Sequence, residues 1–161
     1  MQTSTEMRAQ MPEGGAPRLL GAVREAYRTL DFLAPAGDLL LRCWVSWAFF
    51  ASGLTKIQSW ETTVLLFQYE YQVPVLPPVA AAGLSVCGEL VLPVLLALGV
   101  AGRFAAIGLF VLNIVAVASY PGLMEAGLEW HKAWGLVLLV FALRGPGTLS
   151  LDHWLMRRFS A

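Results

Sequence analysis

The sequence predicts an all-α membrane protein built as a bundle of four transmembrane helices. Of its 161 residues, 57% are hydrophobic and only 14% are charged, and the mean hydropathy is +0.63. Soluble domains contain about half apolar and about a quarter charged residues, so this composition indicates lipid as the surrounding solvent. Four hydrophobic stretches in so short a chain leave too little polar surface to coat a soluble fold, and we expect one domain.

The chain begins with a polar arm, residues 1–17, which is rich in Gly, Pro and Gln and which we expect to be disordered. It has no apolar h-region, which predicts that no cleavable signal peptide is present. In the next segment, 18–35, apolar residues such as Val23 and Tyr27 recur at helical spacing while arginines take the other faces. This pattern predicts a short amphipathic helix at the cytoplasmic interface.

The predicted membrane domain covers residues 36–148. A spanning helix needs about 20 mostly apolar residues, because the hydrocarbon core is about 30 Å thick. The fourth stretch is apolar only over 133–143 and must recruit residues upstream, which brings His131 and Lys132 into the outer zone of the membrane. The four predicted spans are about 38–57, 78–99, 103–121 and 128–144.

Two shorter helical segments are predicted outside the spans. The outer loop, residues 59–77, is too apolar for a free loop, which predicts a short interfacial helix. Its aromatic residues suit the aromatic belt of a membrane interface: Trp60, Phe67, Tyr69 and Tyr71. The C-terminal tail, 149–161, is amphipathic, and Ser150 or Asp152 is expected to cap its helix.

The basic residues are distributed unequally between the two ends of the predicted spans. Only Lys56 and Lys132 lie at the outer end. Nine arginines lie at the end that carries both termini: Arg8, Arg18, Arg24, Arg28, Arg42, Arg103, Arg144, Arg157 and Arg158. By the positive-inside rule, both termini are predicted to face the cytoplasm from a bacterial-type inner membrane.

Glu89 is the sharpest candidate site residue, because it lies near the middle of the second span, where ionisable groups are rare and costly. Pro93, four residues later, removes the helical donor to the Glu89 carbonyl. Without an assured cationic partner, Glu89 is expected to be protonated. It is either a structural group bonded to Asn113 on the third span or a functional proton or ligand group. A salt bridge with Lys56 is the alternative.

Lys56, Glu89 and His131 are predicted to lie along one outward-opening cavity beneath the aromatic loop. The alternative is that Lys56 and His131 reach outer water while Glu89 is buried with Asn113. Arg42 shares a helical face with Lys56 and is expected to snorkel to the cytoplasmic interface. The candidates for a ligand site or polar cluster are Lys56, Glu89, Asn113, His131, Lys132, Tyr71 and Trp134.

No metal, haem or catalytic pattern is visible in the sequence. His131 and His153 lie at opposite ends of the predicted bundle, and neither has a ligand partner at helical spacing. Cys43 and Cys87 differ by roughly 10 Å in depth, so we expect small packing residues and no disulfide. The absence of a nucleophile–base set argues against an enzyme acting alone. The formal net charge of zero gives no sign of nucleic-acid binding.

Four motifs that occur in order resemble those of the DoxX family. They are SGLTKI (52–57), Pro77–Pro78 entering a small-residue span with Glu89, LGVAGRFAA (98–106) and GPGTLSLD (145–152). The resemblance covers roughly residues 36–155. It implies recurring polar positions at Arg42, Lys56, Glu89, Arg103 and Asp152, of which Arg42, Arg103 and Asp152 are expected to be structural.

The resemblance also implies a function. The outer loop is similar to that of a subgroup found beside multinuclear iron oxidative enzymes, often in metal-stress operons. The family takes its name from a small subunit associated with a quinol oxidase and a thiosulfate:quinone oxidoreductase. This implies an accessory subunit of a redox or metal-stress system, with a quinone as candidate ligand and a redox or metal-homeostasis protein as partner. The alternatives are a small proton- or ion-coupled transporter or channel, acting as a homo-oligomer, and a membrane anchor for a soluble partner.

Overall fold

The computed structural model describes residues 15–71, 73, 75–120 and 125–159, and within these it contains six α-helices and no strand. The helices are α1 Gly15–Gln58, α2 Trp60–Tyr69, α3 Pro78–Leu98, α4 Gly102–Ser119, α5 Glu125–Arg144 and α6 Leu151–Phe159. The all-α prediction is confirmed. The chain divides into two compact units, Met1–Ala34 and Pro35–Ala161, and the candidate site lies in the second.

Two helices of the described chain, α3 and α4, are long and apolar enough to cross a membrane. They coincide with the second and third predicted spans. The first and fourth predicted spans correspond to the second half of α1 and to α5. Ionisable residues such as Glu129 and Lys132 make α5 more polar than α3. A crossing of the membrane by α1 and α5 stays a prediction.

The helix boundaries differ from the prediction at the N-terminal end. The predicted amphipathic helix over 18–35 is not a separate helix, because α1 continues through Pro35. A proline inside a helix removes one backbone donor but does not force an end when the flanking residues favour helix, as Leu and Ala do here. Residues 15–17, expected to be disordered, begin α1. Residues 1–14 of the predicted arm lie outside the described residues.

Four helices of the second unit share one apolar core. Its buried members are Val45 and Phe49 from α1, Leu96 from α3, Ala105, Ala106 and Leu109 from α4, and Leu138 and Phe141 from α5. Small residues allow the helices to approach closely. A Cβ atom on Gly88 would lie 2.6 Å from Leu112 Cδ1, and one on Gly53 would lie 3.0 Å from Glu89 Cβ. The outward faces also carry large apolar side chains, such as Phe104 and Leu136, which suits a lipid environment.

The turn between α3 and α4 is held by the start of α6. Gly99 ends α3 in the left-handed conformation. The Asp152 carboxylate accepts hydrogen bonds from the backbone N–H groups of Ala101 and Gly102, both at 2.9 Å. Asp152 therefore caps α4. Ser150, the other predicted cap, accepts a hydrogen bond from the backbone N–H of His153 at 3.2 Å and caps α6.

Arg42 is buried, with only 1% of its surface exposed. Its Nη2 donates a hydrogen bond to the carbonyl oxygen of Leu149. The expectation that Arg42 snorkels to the interface is wrong, because the segment after α5 folds back over this part of α1 and covers the guanidinium. The side chain instead fixes that segment to α1.

Candidate functional site

An ion pair between α1 and α3 forms the centre of the candidate site. Lys56 Nζ lies 2.6 Å from Glu89 Oε2 and 2.9 Å from Oε1. Only 18% of the Lys56 side chain and 10% of the Glu89 side chain are exposed. The close approach depends on Gly53, which leaves room for the Glu89 stem one turn before the lysine.

Two serines complete the hydrogen bonds of this pair. Lys56 Nζ donates to Ser52 Oγ at 2.8 Å, and Ser85 Oγ donates to Glu89 Oε1 at 2.9 Å. Each serine precedes its charged partner by four residues on the same helix, so it lies one turn away on the same face. The three ammonium hydrogens of Lys56 thus meet three acceptor atoms, which is the condition for a tolerable buried charge.

The structure corrects the prediction for Glu89 on two points. Its premise, the lack of a cationic partner, is wrong, because Lys56 supplies one. The hydrogen bond to Asn113, which was one of the alternatives considered for Glu89, is also absent from the contacts of the described residues. The long lysine side chain reaches inward from near the end of α1, whereas Asn113 on α4 is occupied by α5.

Asn113 holds the imidazole of His131. Asn113 Nδ2 donates to the His131 carbonyl oxygen at 2.9 Å, and Asn113 Oδ1 lies 2.7 Å from His131 Nδ1. Since the amide NH₂ is directed at a carbonyl, Oδ1 must accept, and Nδ1 must carry a hydrogen. In the neutral imidazole this leaves Nε2 as an acceptor. Gly135 permits the contact, because its Cβ position lies 3.2 Å from Asn113 Nδ2.

The ion pair and His131 line one cavity of about 190 Å³. Aromatic side chains form much of its remaining wall: Phe49, Tyr71, Tyr120 and Trp134. A second, more apolar cavity of about 210 Å³ also borders Lys56, Tyr71 and Glu89. It extends between α3 and α4 to Leu84, whose side chain is exposed on the surface of the protein. We refer to the cavity of about 190 Å³ as the polar chamber and to the cavity of about 210 Å³ as the apolar chamber. The ion pair lies between them.

A stack of three aromatic rings borders the two chambers. The Tyr71 ring centroid lies 4.7 Å from that of Phe67 and 5.0 Å from that of Tyr120. Burial raises the pKa of the Tyr71 phenol, and the negative charge of Glu89 raises it further. The phenol therefore remains a hydrogen-bond donor at neutral pH. Trp134 packs edge-on against His131 at 5.0 Å, and its buried Nε1 has no partner among the described residues.

Of the seven predicted cluster residues, five line the polar chamber: Lys56, Tyr71, Glu89, His131 and Trp134. Asn113 lies behind His131 and positions it. Lys132 lies elsewhere: it is exposed and pairs with Glu129 one turn before it. A ligand role for these residues remains a prediction.

Three polar residues of the candidate site were missed by the sequence analysis: Ser52 and Tyr120, which line the polar chamber, and Ser85, a hydrogen-bond donor that lines the apolar one. The serines carried a signal, since each lies four residues from a charged residue. Tyr120 carried none, because it follows the end of α4 and its direction depends on the turn beyond.

The other predicted residues have structural surroundings. Arg103 is exposed at the start of α4, and Asp152 caps the same helix. Cys43 and Cys87 are both free thiols on the surface, so the expectation that they pack inside is wrong. Among the described residues, no three His, Cys, Asp or Glu side chains are close enough to hold a metal ion.

Comparison with known proteins identifies the family. The DoxX family model matches residues 37–121, which include Lys56, Glu89 and Asn113. An uncharacterized protein of Haemophilus influenzae is 31% identical over 121 residues, covering 71% of this chain and 80% of the relative. No solved structure matches the chain. On the extent of the family match, together with this relative, the chain belongs to the DoxX family.

Proposed function

We propose that this protein is a four-span inner-membrane protein that binds a quinone head group as an accessory subunit of a redox or metal-stress system. The observation that carries the proposal is the polar chamber. It places a cation, an imidazole and hydrogen-bond donors from Tyr71 and Trp134 among aromatic walls. A second, apolar chamber borders the same ion pair and lies between α3 and α4.

The dimensions of the chambers favour a single-ring head group. Volumes of about 190 and 210 Å³ lie below the range of about 300–1,000 Å³ that is typical for drug-sized ligands. A quinone ring is planar, stacks on aromatic side chains and presents two carbonyl oxygens as acceptors. The Tyr71 hydroxyl and the unpartnered Trp134 Nε1–H suit such acceptors, and the Lys56 ammonium adds a positive charge nearby. An isoprenoid tail suits the apolar chamber.

The topology is part of the proposal. The second half of α1, together with α3, α4 and α5, forms the four spans, and the nine-to-two distribution of basic residues directs both termini to the cytoplasm. Reporter fusions after Ala161 and within α2 are expected to report opposite sides of the membrane. A fusion at Lys132 should agree with the one in α2. A periplasmic signal at Ala161 would contradict this topology.

Ligand binding is tested by titrating the detergent-solubilised protein with a short-tailed ubiquinone analogue and following tryptophan fluorescence. We expect saturable quenching, because Trp134 lines the proposed site. Tyr71→Phe keeps the ring but removes one donor, so it should weaken binding about fivefold, the equivalent of about 1 kcal/mol for one hydrogen bond. Trp134→Phe should remove most of the saturable signal. Trp154→Phe, on α6, is the matched control and should leave it unchanged.

Other outcomes would support the alternative functions. Quenching that never saturates, or that Trp134→Phe does not reduce, would contradict the quinone site. Proton or cation flux in proteoliposomes without quinone binding would favour the oligomeric transporter. Recovery of a stoichiometric soluble partner with neither property would favour the membrane anchor.

A further inference from the structure

A third cavity, separate from the two chambers beside Lys56 and Glu89, lies around the turn between α3 and α4. It is a cleft of about 720 Å³ between the start of α4, the end of α5 and the start of α6. Its charged and polar side chains include Arg103, Arg144, Thr148 and His153. We refer to these four residues and the backbone between them as the basic cleft. We infer that the basic cleft binds the head group of an anionic phospholipid.

The two arginines of the basic cleft, Arg103 and Arg144, outnumber the one acidic side chain that borders it among the described residues. That side chain is Asp152, and its carboxylate is already bound to the N–H groups of Ala101 and Gly102 at the start of α4. Neither Arg103 nor Arg144 forms a salt bridge with an acidic side chain in the part of the chain that the structure describes. Two guanidinium groups therefore remain available at one site, and guanidinium groups bind phosphate oxygens in pairs of hydrogen bonds.

The surroundings of the basic cleft favour a lipid over a free anion. Phe104, Leu155 and Met156 line it and are exposed large apolar side chains. On α6, Trp154 and Phe159 are exposed as well, and Arg157 and Arg158 follow on the same short helix. A helix with this composition lies in the interface of an anionic membrane. Basic pockets between helices at the cytoplasmic side are known to bind anionic head groups. The cleft thus offers cations for a phosphate and apolar side chains for acyl chains.

The test compares dioleoylphosphatidylglycerol with dioleoylphosphatidylcholine. The full chain in a neutral detergent is titrated with each lipid, and bound lipid is measured by native mass spectrometry. We expect tighter binding of phosphatidylglycerol. A basic residue near an anionic lipid contributes about fivefold in affinity, so Arg103→Gln with Arg144→Gln should weaken phosphatidylglycerol binding about thirtyfold. The affinity for phosphatidylcholine should not change.

Two variants serve as controls. Lys132→Gln removes one exposed cation in the other half of α5 and should leave the lipid preference as it is. Arg103→Lys with Arg144→Lys keeps the charges but loses the paired hydrogen bonds, so it should bind phosphatidylglycerol more tightly than the double glutamine variant and less tightly than the unmodified chain.

Three results would overturn the inference. The first is equal binding of the two lipids by the unmodified chain. The second is a preference that persists in the double glutamine variant. The third is full displacement of the lipid by millimolar inorganic phosphate, which would show a site for a free anion.

Discussion

Replacing Lys56 with Met is expected to lower the free energy of unfolding by about 3–5 kcal/mol, because it leaves a buried carboxylate without its cation. Glu89 is only 8% exposed. Both of its oxygens lie within 3 Å of Lys56 Nζ, and Ser85 alone cannot replace an ammonium group. The measurement is reversible unfolding of the full chain in detergent, followed by tryptophan fluorescence.

The double variant Lys56→Met with Glu89→Leu should recover most of the lost stability. A buried ion pair replaced by apolar residues of similar volume is often neutral or stabilising, since the desolvation of both charges is no longer required. A double-mutant cycle with both single variants then gives the coupling energy. If the double variant is as unstable as the lysine variant alone, the pair does not act as a unit and the assignment is wrong.

Lys132→Met is the matched control for the lysine variant. Lys132 pairs with Glu129, but 57% and 70% of the two side chains are exposed. An exposed pair of this kind contributes about 0–1 kcal/mol. Equal losses of stability in the two lysine variants would show that burial of the Lys56 pair has no energetic consequence.

The same double variant separates folding from ligand recognition. It should fold, yet it lacks the cation and the acid that border both chambers. If the pair only joins α1 to α3, quinone quenching will persist in the double variant. If the pair recognises the head group, quenching will be lost although the protein is stable.

The helical elements were largely predictable, because local signals define them. Pro78 begins α3 and Gly99 ends it in the left-handed conformation, so its predicted bounds were correct within one residue. The length of α1 was not predictable in the same way. Helical periodicity is present on both sides of Pro35, and no local signal tells whether two helical segments continue or separate.

The depth of the candidate site residues in the helices could be predicted from the sequence, but which side chains contact each other could not. Sequence position gives the depth of Lys56, Glu89 and His131 in a span, and the three do border one chamber. Which side chains meet depends on the rotation of each helix about its axis, which spacing within one helix does not give. For this reason the sequence left Asn113 and Lys56 both open as partners of Glu89, whereas the structure pairs it with Lys56.

Gly99→Ala is expected to lower the free energy of unfolding by about 2–5 kcal/mol, from two separate costs. Gly99 has φ +68°, and an alanine in the left-handed region costs about 1–2 kcal/mol. The added Cβ would also lie 2.4 Å from Arg42 Nη1 and 2.4 Å from Ser150 Cβ. Overpacking of a buried contact typically costs a further 1–3 kcal/mol. Unfolding in detergent measures the sum.

Two other glycines separate the costs. Gly145→Ala has the same kind of backbone strain, with φ +92°, but its nearest atom is Arg103 Nε at 3.4 Å, so it should show the backbone cost alone. Gly83→Ala has no atom within 4 Å and lies inside α3, where alanine is favoured by about 1 kcal/mol. Gly99→Ala should therefore be the most damaging of the three. The excess over Gly145→Ala measures how firmly Arg42 and Ser150 are held against the end of α3. Equal losses at Gly99 and Gly145 would mean that the Arg42 side chain moves aside freely. The conclusion that Arg42 fixes the segment after α5 to α1 would then be wrong.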